Sequence, residues 1–218
     1  MTGTVDGVEV LVIAKSPAPG RVKTRLCPPL TLREAAAVAE ASLVDTLRAM
    51  AATRATRRTL VLSGMPGPWL VPGFRIVEQR GAGLDERLAW AFQATDGPAL
   101  LVGMDTPQLT APLIERCLEA LQAPDVDAVL GPAEDGGWWA IGLRRADPRV
   151  FLGVPMSSPD TCAAQRERMG TLGLRCVDLP TLRDVDRFED AAAVARLAPY
   201  TSFARAVRAC ERPSAVLA

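Results

Sequence analysis

The sequence predicts an α/β protein with a mostly parallel central sheet. Short apolar runs rich in β-branched residues alternate with longer segments whose apolar residues recur at helical spacing, which is the pattern of βαβ units. The chain has 218 residues, of which 49% are hydrophobic and 23% charged, as expected of one globular domain with a substantial core. We therefore expect a single domain over residues 1–212 and a frayed tail over residues 213–218.

The first half of the chain carries the clearest local signals. Residues 8–14, VEVLVIA, form a continuous apolar run that is typical of a strand buried on both faces. Thr31 and Glu34 have the spacing of a capping box, and Thr110 stands where a later helix should be capped. The strands predicted in this half are residues 8–14, 59–63, 74–78 and 99–103. The predicted helices are residues 31–52, 84–94 and 110–121.

The second half continues the alternation with weaker signals. A Gly-Gly pair precedes the run WWAIGL, which predicts a turn followed by a strand. The strands predicted in this half are residues 127–131, 138–143 and 175–179. The predicted helices are residues 159–172, 189–197 and 201–209.

The composition excludes several classes of protein. Basic and acidic residues number 25 each, so the formal net charge is zero and a general nucleic-acid-binding face is not expected. The chain has no histidine, which excludes a Ser–His–Asp triad and a histidine-rich zinc site. The five cysteines lack C-x-x-C spacing, and neither a signal peptide nor a membrane-spanning apolar run is visible. We therefore expect a cytoplasmic protein with no nucleic-acid or membrane partner.

The most informative segment directly follows the first strand. Residues 14–25, AKSPAPGRVKTR, run from Ala14 through the turn residue Gly20 and contain both lysines of the chain. Ligands of open α/β sheets bind beyond the carboxyl ends of the strands, and a cationic turn with a glycine is suited to phosphate oxygens there. The candidate phosphate-binding residues are Lys15, Arg21, Lys23 and Arg25. The alternative interpretation is a solvated basic loop.

Two further loops follow predicted strands. In QRGAGLDER, two glycines open the backbone before a helix, and Gln79 could bond a base edge or a ribose; a plain turn before a capped helix is the alternative. Asp105 follows the strand at residues 99–103 and is a candidate Mg²⁺ ligand, because Mg²⁺ prefers carboxylates together with substrate phosphates and water. Asp105 could instead cap a helix, although the next helix is predicted to begin only at Thr110.

An acidic turn lies between residues 127–131 and 138–143. Glu134 and Asp135 precede the glycine pair and two tryptophans, so they could contact the hydroxyls of an acceptor whose flat face stacks on an aromatic ring. The alternative is a hairpin turn with tryptophans in the core. If one tryptophan faces each way along the strand, both interpretations hold.

A second acidic segment, DVDRFED, places four carboxylates in residues 184–190, just before a predicted helix. Acidic residues at a helix start interact favourably with the helix dipole, which explains some of them. Asp184 or Asp186 could also complete a two-carboxylate metal site with Asp105.

Five motifs, in order, resemble a bacterial family of GT-A-type nucleotide-diphospho-sugar transferase-like proteins, similar in layout to 2-phospho-lactate and molybdenum-cofactor guanylyltransferases. The motifs are VIAKSPAPGRVKTRL, QRGAGLDERL, LLVGMDTPQLT, DAVLGPAEDGGWWAIGL and DVDRFED. The resemblance implies one Rossmann-like GT-A domain, with a mixed, mostly parallel sheet flanked by helices, that binds a nucleotide in its N-terminal half. Two departures stand out: Asp105-Thr106-Pro107 has one acid where Asp-x-Asp is common, and Arg187 replaces a threonine of the last motif.

The resemblance also implies roles for individual residues. The four cations of the first motif would bind phosphates together with the backbone at Ala14 and Gly20. Asp105 and Asp186 would hold Mg²⁺ or Mn²⁺. Gln79 and Gly83 would lie near the base. The acceptor would lie near Glu134, Asp135, Gly136 and Gly137.

Three functions fit these residues. The first is a nucleotidylyltransferase that joins an NTP to a small phosphorylated acceptor and releases pyrophosphate, with Lys23, Arg25 and Asp105 as its catalytic residues. Such chemistry depends on positioning and charge more than on a side-chain nucleophile, which suits a chain without histidine. The second is a glycosyltransferase with an NDP-sugar donor, in which Asp135 or Glu134 is the base. The third is a nucleotide-binding module without turnover.

Overall fold

The computed structural model describes residues 7–211. Seven strands in these residues form one sheet in the order β3-β2-β1-β4-β6-β5-β7. The strands are β1 (Glu9–Lys15), β2 (Arg57–Ser63), β3 (Arg75–Glu78), β4 (Ala99–Gly103), β5 (Ala128–Pro132), β6 (Trp138–Leu143) and β7 (Cys176–Asp178). The helices are α1 (Leu32–Ala51), α2 (Leu84–Gln93), α3 (Ala111–Gln122), α4 (Thr161–Thr171), α5 (Phe188–Leu197) and α6 (Ser202–Cys210).

The sheet is parallel except at β6. The strand β1 pairs in parallel with β2 and β4, β2 with β3, and β5 with β7, whereas β6 runs antiparallel to both β4 and β5. The hairpin between β5 and β6 contains the predicted acidic turn. The carboxyl ends of β1 and β4 therefore share one edge with the start of β6, and the predicted site loops gather at this edge.

Helices cover both faces of the sheet. One face packs on α1 and α3 through residues such as Leu47 and Leu118, and the other packs on α2 and α4 through Phe92 and Met169. Val10 and Leu11 of β1 enter opposite cores, as expected of the continuous apolar run in this strand.

A third apolar cluster joins the C-terminal helices to the start of the chain. Leu26, Val38 of α1, Val185, Val194 of α5 and Phe203 of α6 are all buried in it. Leu26 belongs to a short 3-10 helix, Thr24–Leu26, at the end of the basic segment. This cluster fixes both the basic segment and the DVD segment to the same helices.

The predicted fold class is confirmed, and the element boundaries differ by one or two residues in most cases. Thr31 and Glu34 form the predicted capping box, with the Glu34 N–H donating to Thr31 Oγ1 at 3.2 Å and the Thr31 N–H donating to Glu34 Oε2 at 2.7 Å. Thr110 caps α3 as predicted, so Asp105 is not a helix cap. The 3-10 helices Thr24–Leu26 and Pro148–Val150 were not predicted, because single turns carry no periodicity.

The predicted tail, residues 213–218, lies outside the described residues, and the single domain over residues 1–212 stays a prediction. No helix within residues 7–211 is both long enough and apolar enough to cross a bilayer. The cytoplasmic location likewise stays a prediction.

Candidate active site

A cleft of about 790 Å³ opens at the edge of the sheet where β1 and β4 end. Most of the predicted site residues line it: Ala14, Lys15, Arg21, Lys23, Arg25, Gln79, Asp105, Asp135, Gly137 and Asp186. The other four predicted residues, Gly20, Gly83, Glu134 and Gly136, are not in its lining. The structure thus brings together side chains that are separated by as many as 172 residues in the sequence, from Ala14 to Asp186.

The basic loop, residues 15–25, carries two cations that have no acidic partner. The side chains of Lys15 and Arg21 are exposed to the cleft and make no hydrogen bond or ion pair with any other residue that the structure describes. Gly20, with φ of 75°, provides the left-handed turn between them, and the Arg21 N–H donates to Ala18 O at 3.1 Å. Lys15 and Arg21 are therefore available to an anion.

The other two cations of the basic loop are engaged by acids. Lys23 Nζ lies 2.8 Å from Asp105 Oδ1 and 4.0 Å from Asp186 Oδ1, and it also donates to Val185 O. The Lys23 side chain is only 8% exposed. Arg25 donates to Asp186 Oδ2 at 2.8 Å from an exposed position. These contacts join the basic loop to the DVD segment.

Backbone hydrogen bonds hold the loop after β4 against the DVD segment. The Val185 N–H donates to Asp105 O at 3.1 Å, and Gln108 Nε2 donates to Arg183 O at 2.7 Å. The N–H of Val185 is thus bonded to the loop after β4, and its carbonyl accepts from Lys23. These two hydrogen bonds hold in place the backbone that carries Asp184 and Asp186.

Four carboxylates form what we call the acidic cluster: Asp105, Asp135, Asp184 and Asp186. Burial raises the pKa of Asp184 to about 8, with further contributions from the negative charges of Asp105 and Asp135. The opposing effect of Lys23 is smaller. Asp184 Oδ1 is buried and accepts no hydrogen bond within residues 7–211. A buried, unpartnered carboxylate oxygen among other acids is a suitable neighbour for a cation.

The predicted base-side residues are held by the backbone. The Gln79 amide nitrogen donates to Ala14 O at 2.8 Å and to Val61 O at 3.0 Å, so this side chain ties the ends of adjacent strands together while it lines the cleft. Gly83 is the N-cap of α2, next to the lining residue Leu84. Their contact with a base stays a prediction.

The predicted acceptor-side residues divide into two groups. Asp135 and Gly137 line the cleft, and the Gly137 N–H donates to Asp135 Oδ1 at 2.9 Å. Glu134 instead pairs with Arg183 at 2.6 Å, outside the lining. Gly136, with φ of 88°, packs so closely on Pro159 that an added Cβ would overlap the Pro159 carbonyl oxygen. Gly136 therefore anchors the loop before α4.

The two tryptophans of β6 face opposite ways, as the alternating pleat requires. Trp139 is 1% exposed, packs in the core beneath α1 and α3, and donates from Nε1 to Pro180 O at 2.9 Å, while Trp138 packs toward the opposite core. Both side chains also reach the lining of the cleft. The core interpretation is confirmed for Trp139, and contact of Trp138 with an acceptor stays a prediction.

One wall of the cleft was missed by sequence reasoning. Met156, Ser157, Ser158 and Pro159 line the cleft before α4, and Ser157 has a left-handed φ of 57°. Such a conformation is uncommon for a residue with a side chain and is often found at functional sites. The Ser-Ser-Pro-Asp run signalled only a loop before a helix. Arg187, which departs from the last motif of the resemblance, also lines the cleft.

Comparison with known proteins places the chain in a family. Residues 31–158 match the model of a family described as "Uncharacterized protein conserved in bacteria (DUF2064)". The chain is 33% identical over 190 residues to 3-phospho-D-glycerate guanylyltransferase of Phenylobacterium zucineum (strain HLK1), a match that covers 80% of this chain and 84% of that protein.

Solved structures share the fold. A protein from Desulfovibrio desulfuricans G20, described as a candidate nucleotide-diphospho-sugar transferase, superposes with a TM-score of 0.84 at 28% identity and covers 93% of this chain and 94% of its own. CMP:2-keto-3-deoxy-manno-octonic acid synthetase complexed with CTP has a TM-score of 0.58 at 10% identity, over 88% of this chain and 98% of its own. Rv0371C of Mycobacterium tuberculosis H37Rv, in complex with manganese, has a TM-score of 0.51 at 17% identity, over 87% and 97%.

These likenesses confirm the predicted GT-A-type fold and the predicted transferase class. The family match covers more than half of the chain, and the guanylyltransferase relative matches 80% of it. The chain belongs to the bacterial DUF2064 family.

Proposed function

We propose that the protein is a guanylyltransferase that joins GTP to a small phosphorylated carboxylic acid of the 3-phosphoglycerate type. The relative from Phenylobacterium zucineum acts, by its name, on 3-phospho-D-glycerate and is 33% identical over 80% of this chain. This relationship supports nucleotidyl transfer, the first of the three predicted functions. We infer guanine as the base and 3-phosphoglycerate as the type of acceptor from the name of that relative.

The observation that carries the proposal is that one cleft holds both unpaired cations and a cluster of acids. Lys15 and Arg21 present their unpaired side chains to the cleft, and the acidic cluster lines the same cleft. A triphosphate needs cations for its oxygens, and arginine can bind two of these oxygens at once. The sites for a polyanion and for a cation thus lie within one cleft.

The reaction balances without a side-chain nucleophile. A phosphate oxygen of the acceptor attacks the α-phosphorus of GTP, the new P–O bond forms, and the bond to the β-phosphate oxygen breaks. Pyrophosphate leaves with that electron pair. The acceptor phosphate is already ionised at neutral pH, so no general base is required, which fits a chain without histidine. Lys15 and Arg21 stabilise the charge that develops on the leaving group.

The donor set fits a hard divalent cation such as Mg²⁺. Asp105 and Asp186 would hold it, and the unpartnered Oδ1 of Asp184 shows that the cluster has an unused acceptor. Within residues 7–211 no three acidic or thiol side chains are close enough to hold a metal alone, so phosphate oxygens and water would complete the set. When bound, such an ion supplies charge neutralisation at the phosphates. The manganese complex of Rv0371C, a distant neighbour, agrees with a divalent ion.

The two sides of the cleft would take different parts of the substrates. Gln79 and Gly83 would lie near the guanine, while Lys15 and Arg21 bind the phosphates. Asp135 and Gly137 would lie near the acceptor, together with Ser157 and the indole of Trp138 as a flat wall. Glu134 and Gly136 would support this side without contact.

The test is a transfer assay with the purified chain. Each of the four NTPs is incubated with 3-phosphoglycerate and either Mg²⁺ or Mn²⁺, and pyrophosphate and the nucleotide product are measured by phosphate detection and mass spectrometry. We expect equal amounts of pyrophosphate and a guanosine-containing diphosphate diester, formed only when both substrates are present. Pyrophosphate release that does not depend on the acceptor, or no product with any NTP, would contradict the proposal.

A second candidate is glycosyl transfer from an NDP-sugar. The observation in its favour is the Desulfovibrio desulfuricans neighbour, a candidate nucleotide-diphospho-sugar transferase at 28% identity. Asp135 would then act as the base for an acceptor hydroxyl. Release of a nucleoside diphosphate from GDP-mannose or UDP-glucose, with no reaction of GTP, would favour this function over guanylyl transfer.

A further inference from the structure

Lys23 lies inside the acidic cluster, unlike the exposed Lys15 and Arg21. Its ammonium is 2.8 Å from Asp105 Oδ1 and 4.0 Å from Asp186 Oδ1, and its side chain is 8% exposed. It also donates to the carbonyl of Val185, the residue between the two acids of the DVD segment. One buried cation therefore bridges the two carboxylates that fit a divalent ion.

This position is incompatible with a divalent ion between the same carboxylates. An ammonium and a doubly charged ion at hydrogen-bonding distance from one oxygen would repel each other strongly in a half-buried site. Lys23 and Arg25 are the two cations that pair with Asp105 and Asp186. Removal of the Lys23 charge leaves uncompensated negative charge on these carboxylates, which a divalent ion offsets.

The same loop shows where the lysine could go. Lys15 and Arg21 are the unpaired cations at which phosphate oxygens would bind, and they precede Lys23 by eight and two residues. The backbone at Lys23 has a left-handed conformation, φ 48° and ψ 35°, at the start of the 3-10 helix that Leu26 anchors in the core. The main chain is therefore fixed, while the long, flexible lysine stem can move its ammonium from the acids to a phosphate.

We propose that the ammonium of Lys23 takes the place of the metal ion between Asp105 and Asp186 in the nucleotide-free protein. When a nucleoside triphosphate binds, its phosphates attract the Lys23 ammonium away from the two carboxylates, and a divalent ion then binds there. The two ligands would then bind with positive cooperativity, and the nucleotide-free protein would have little affinity for the metal alone. The inference rests on the proposed function in requiring a triphosphate in this cleft. By linkage, the nucleotide must raise metal affinity by the same factor by which the metal raises nucleotide affinity.

The experiment measures Mn²⁺ binding by electron paramagnetic resonance of the free ion, in wild type and in Lys23→Gln, with and without a non-reactive α,β-methylene analogue of GTP. In wild type we expect the analogue to tighten Mn²⁺ binding by about tenfold or more. Lys23→Gln should bind Mn²⁺ about tenfold more tightly than wild type without nucleotide, and the analogue should add little further. Lys23→Arg retains the charge and should behave more like wild type.

Arg21→Gln is the matched control. It removes a cation from the same loop that contacts no acid, so it should weaken binding of the analogue and leave nucleotide-free Mn²⁺ affinity unchanged. Equal Mn²⁺ affinity of wild type and Lys23→Gln would overturn the inference. So would a wild-type protein that binds Mn²⁺ as tightly without the analogue as with it, a result that needs no variant.

Failure of the proposed function gives a different pattern. If the transfer assay yields no product but the analogue still tightens Mn²⁺ binding, guanylyl transfer is wrong and the role of Lys23 stands. If transfer occurs while Mn²⁺ binding is independent of the Lys23 charge, the function stands and the substitution mechanism is wrong.

Discussion

The two ends of the basic loop differ in what they contact. At the start, Lys15 and Arg21 extend into the cleft without partners among the described residues, and at the end Lys23 and Arg25 are bound to acids. The sequence presents all four as one cationic run. The difference teaches that clustered positive charge in a sequence can serve two purposes, to receive an anion and to neutralise the protein's own carboxylates.

The largest expected effect concerns the acid that Lys23 contacts. Asp105→Asn should lower kcat/KM for guanylyl transfer by at least about 100-fold, because it removes the charge at the point where the reacting phosphates and their cation would meet. Steady-state kinetics of pyrophosphate release measure this loss. Asp125→Asn is the control, because Asp125 pairs with Arg175 on the surface and should leave the rate unchanged. Equal rates for both variants would remove Asp105 from the mechanism.

The acidic cluster should also make stability depend on pH. The pKa of Asp184 is about 8 in the folded protein against an ordinary value of 3.8. Between these values the folded chain binds more protons than the unfolded chain, so the free energy of unfolding falls as the pH rises through this range.

Asp184→Asn should remove most of that slope. At pH 8, in the presence of a chelator, it should raise the free energy of unfolding by about 2 kcal/mol or more, because a buried charge is replaced by a neutral amide. Urea denaturation at pH 5.5 and pH 8 measures both quantities. If wild type and variant lose the same stability between these pH values, Asp184 is not the group responsible.

The acceptor side of the cleft depends on close backbone packing at Gly136. Gly136→Ala should lower the free energy of unfolding by about 2 kcal/mol or more, because its Cβ would meet Pro159 and its φ is positive. Gly173 has a similar φ of 72°, but a Cβ added there would have no atom within 4 Å. Gly173→Ala therefore measures the backbone cost alone, and we expect it to lower the free energy of unfolding by about 1 kcal/mol. Chemical denaturation compares the two. Equal losses would show that the Pro159 contact adds nothing.

The smallest expected effect compares two arginines of the basic loop directly. Arg21→Gln should weaken binding of a fluorescent GTP analogue about tenfold, as expected for the loss of a charge-assisted contact. Arg25→Gln should weaken it by about threefold at most, since its guanidinium is held by Asp186 at an exposed site. A fluorescence titration measures both. If Arg25→Gln weakens binding more than Arg21→Gln does, Arg25 rather than Arg21 is the arginine that binds the nucleotide phosphates.

Much of the fold was predictable because its signals are local. The capping box of Thr31 and Glu34, the cap at Thr110 and the apolar run of β1 each depend on neighbouring residues, and the structure has all three. The helix after Asp105 begins only after the cap at Thr110, as predicted, so Asp105 lies in the preceding loop. The approximate position of the cleft followed from the general rule for open sheets.

The internal arrangement of the site was not predictable in the same way. Lys23 contacts Val185 across 162 positions of the chain, and no local pattern reports that the lysine is buried. Asp184 and Asp186 are equivalent in the sequence, yet only the folded chain shows that Asp184 is the acid with an unpartnered buried oxygen. Gly136 was expected near the acceptor, and its close packing on Pro159 depends on a loop that carried only turn signals.

The buried Leu26 has a consequence for the entropy of ligand binding. It fixes the end of the basic loop among Val38, Val185, Val194 and Phe203, so this segment is already ordered in the folded protein. A ligand that had to order a free loop would lose about 1–2 kcal/mol for each residue it fixed. Here that entropy is lost during folding, before any ligand arrives. The binding free energy of a small polyanion in the cleft is therefore reduced very little by the entropy of ordering this loop.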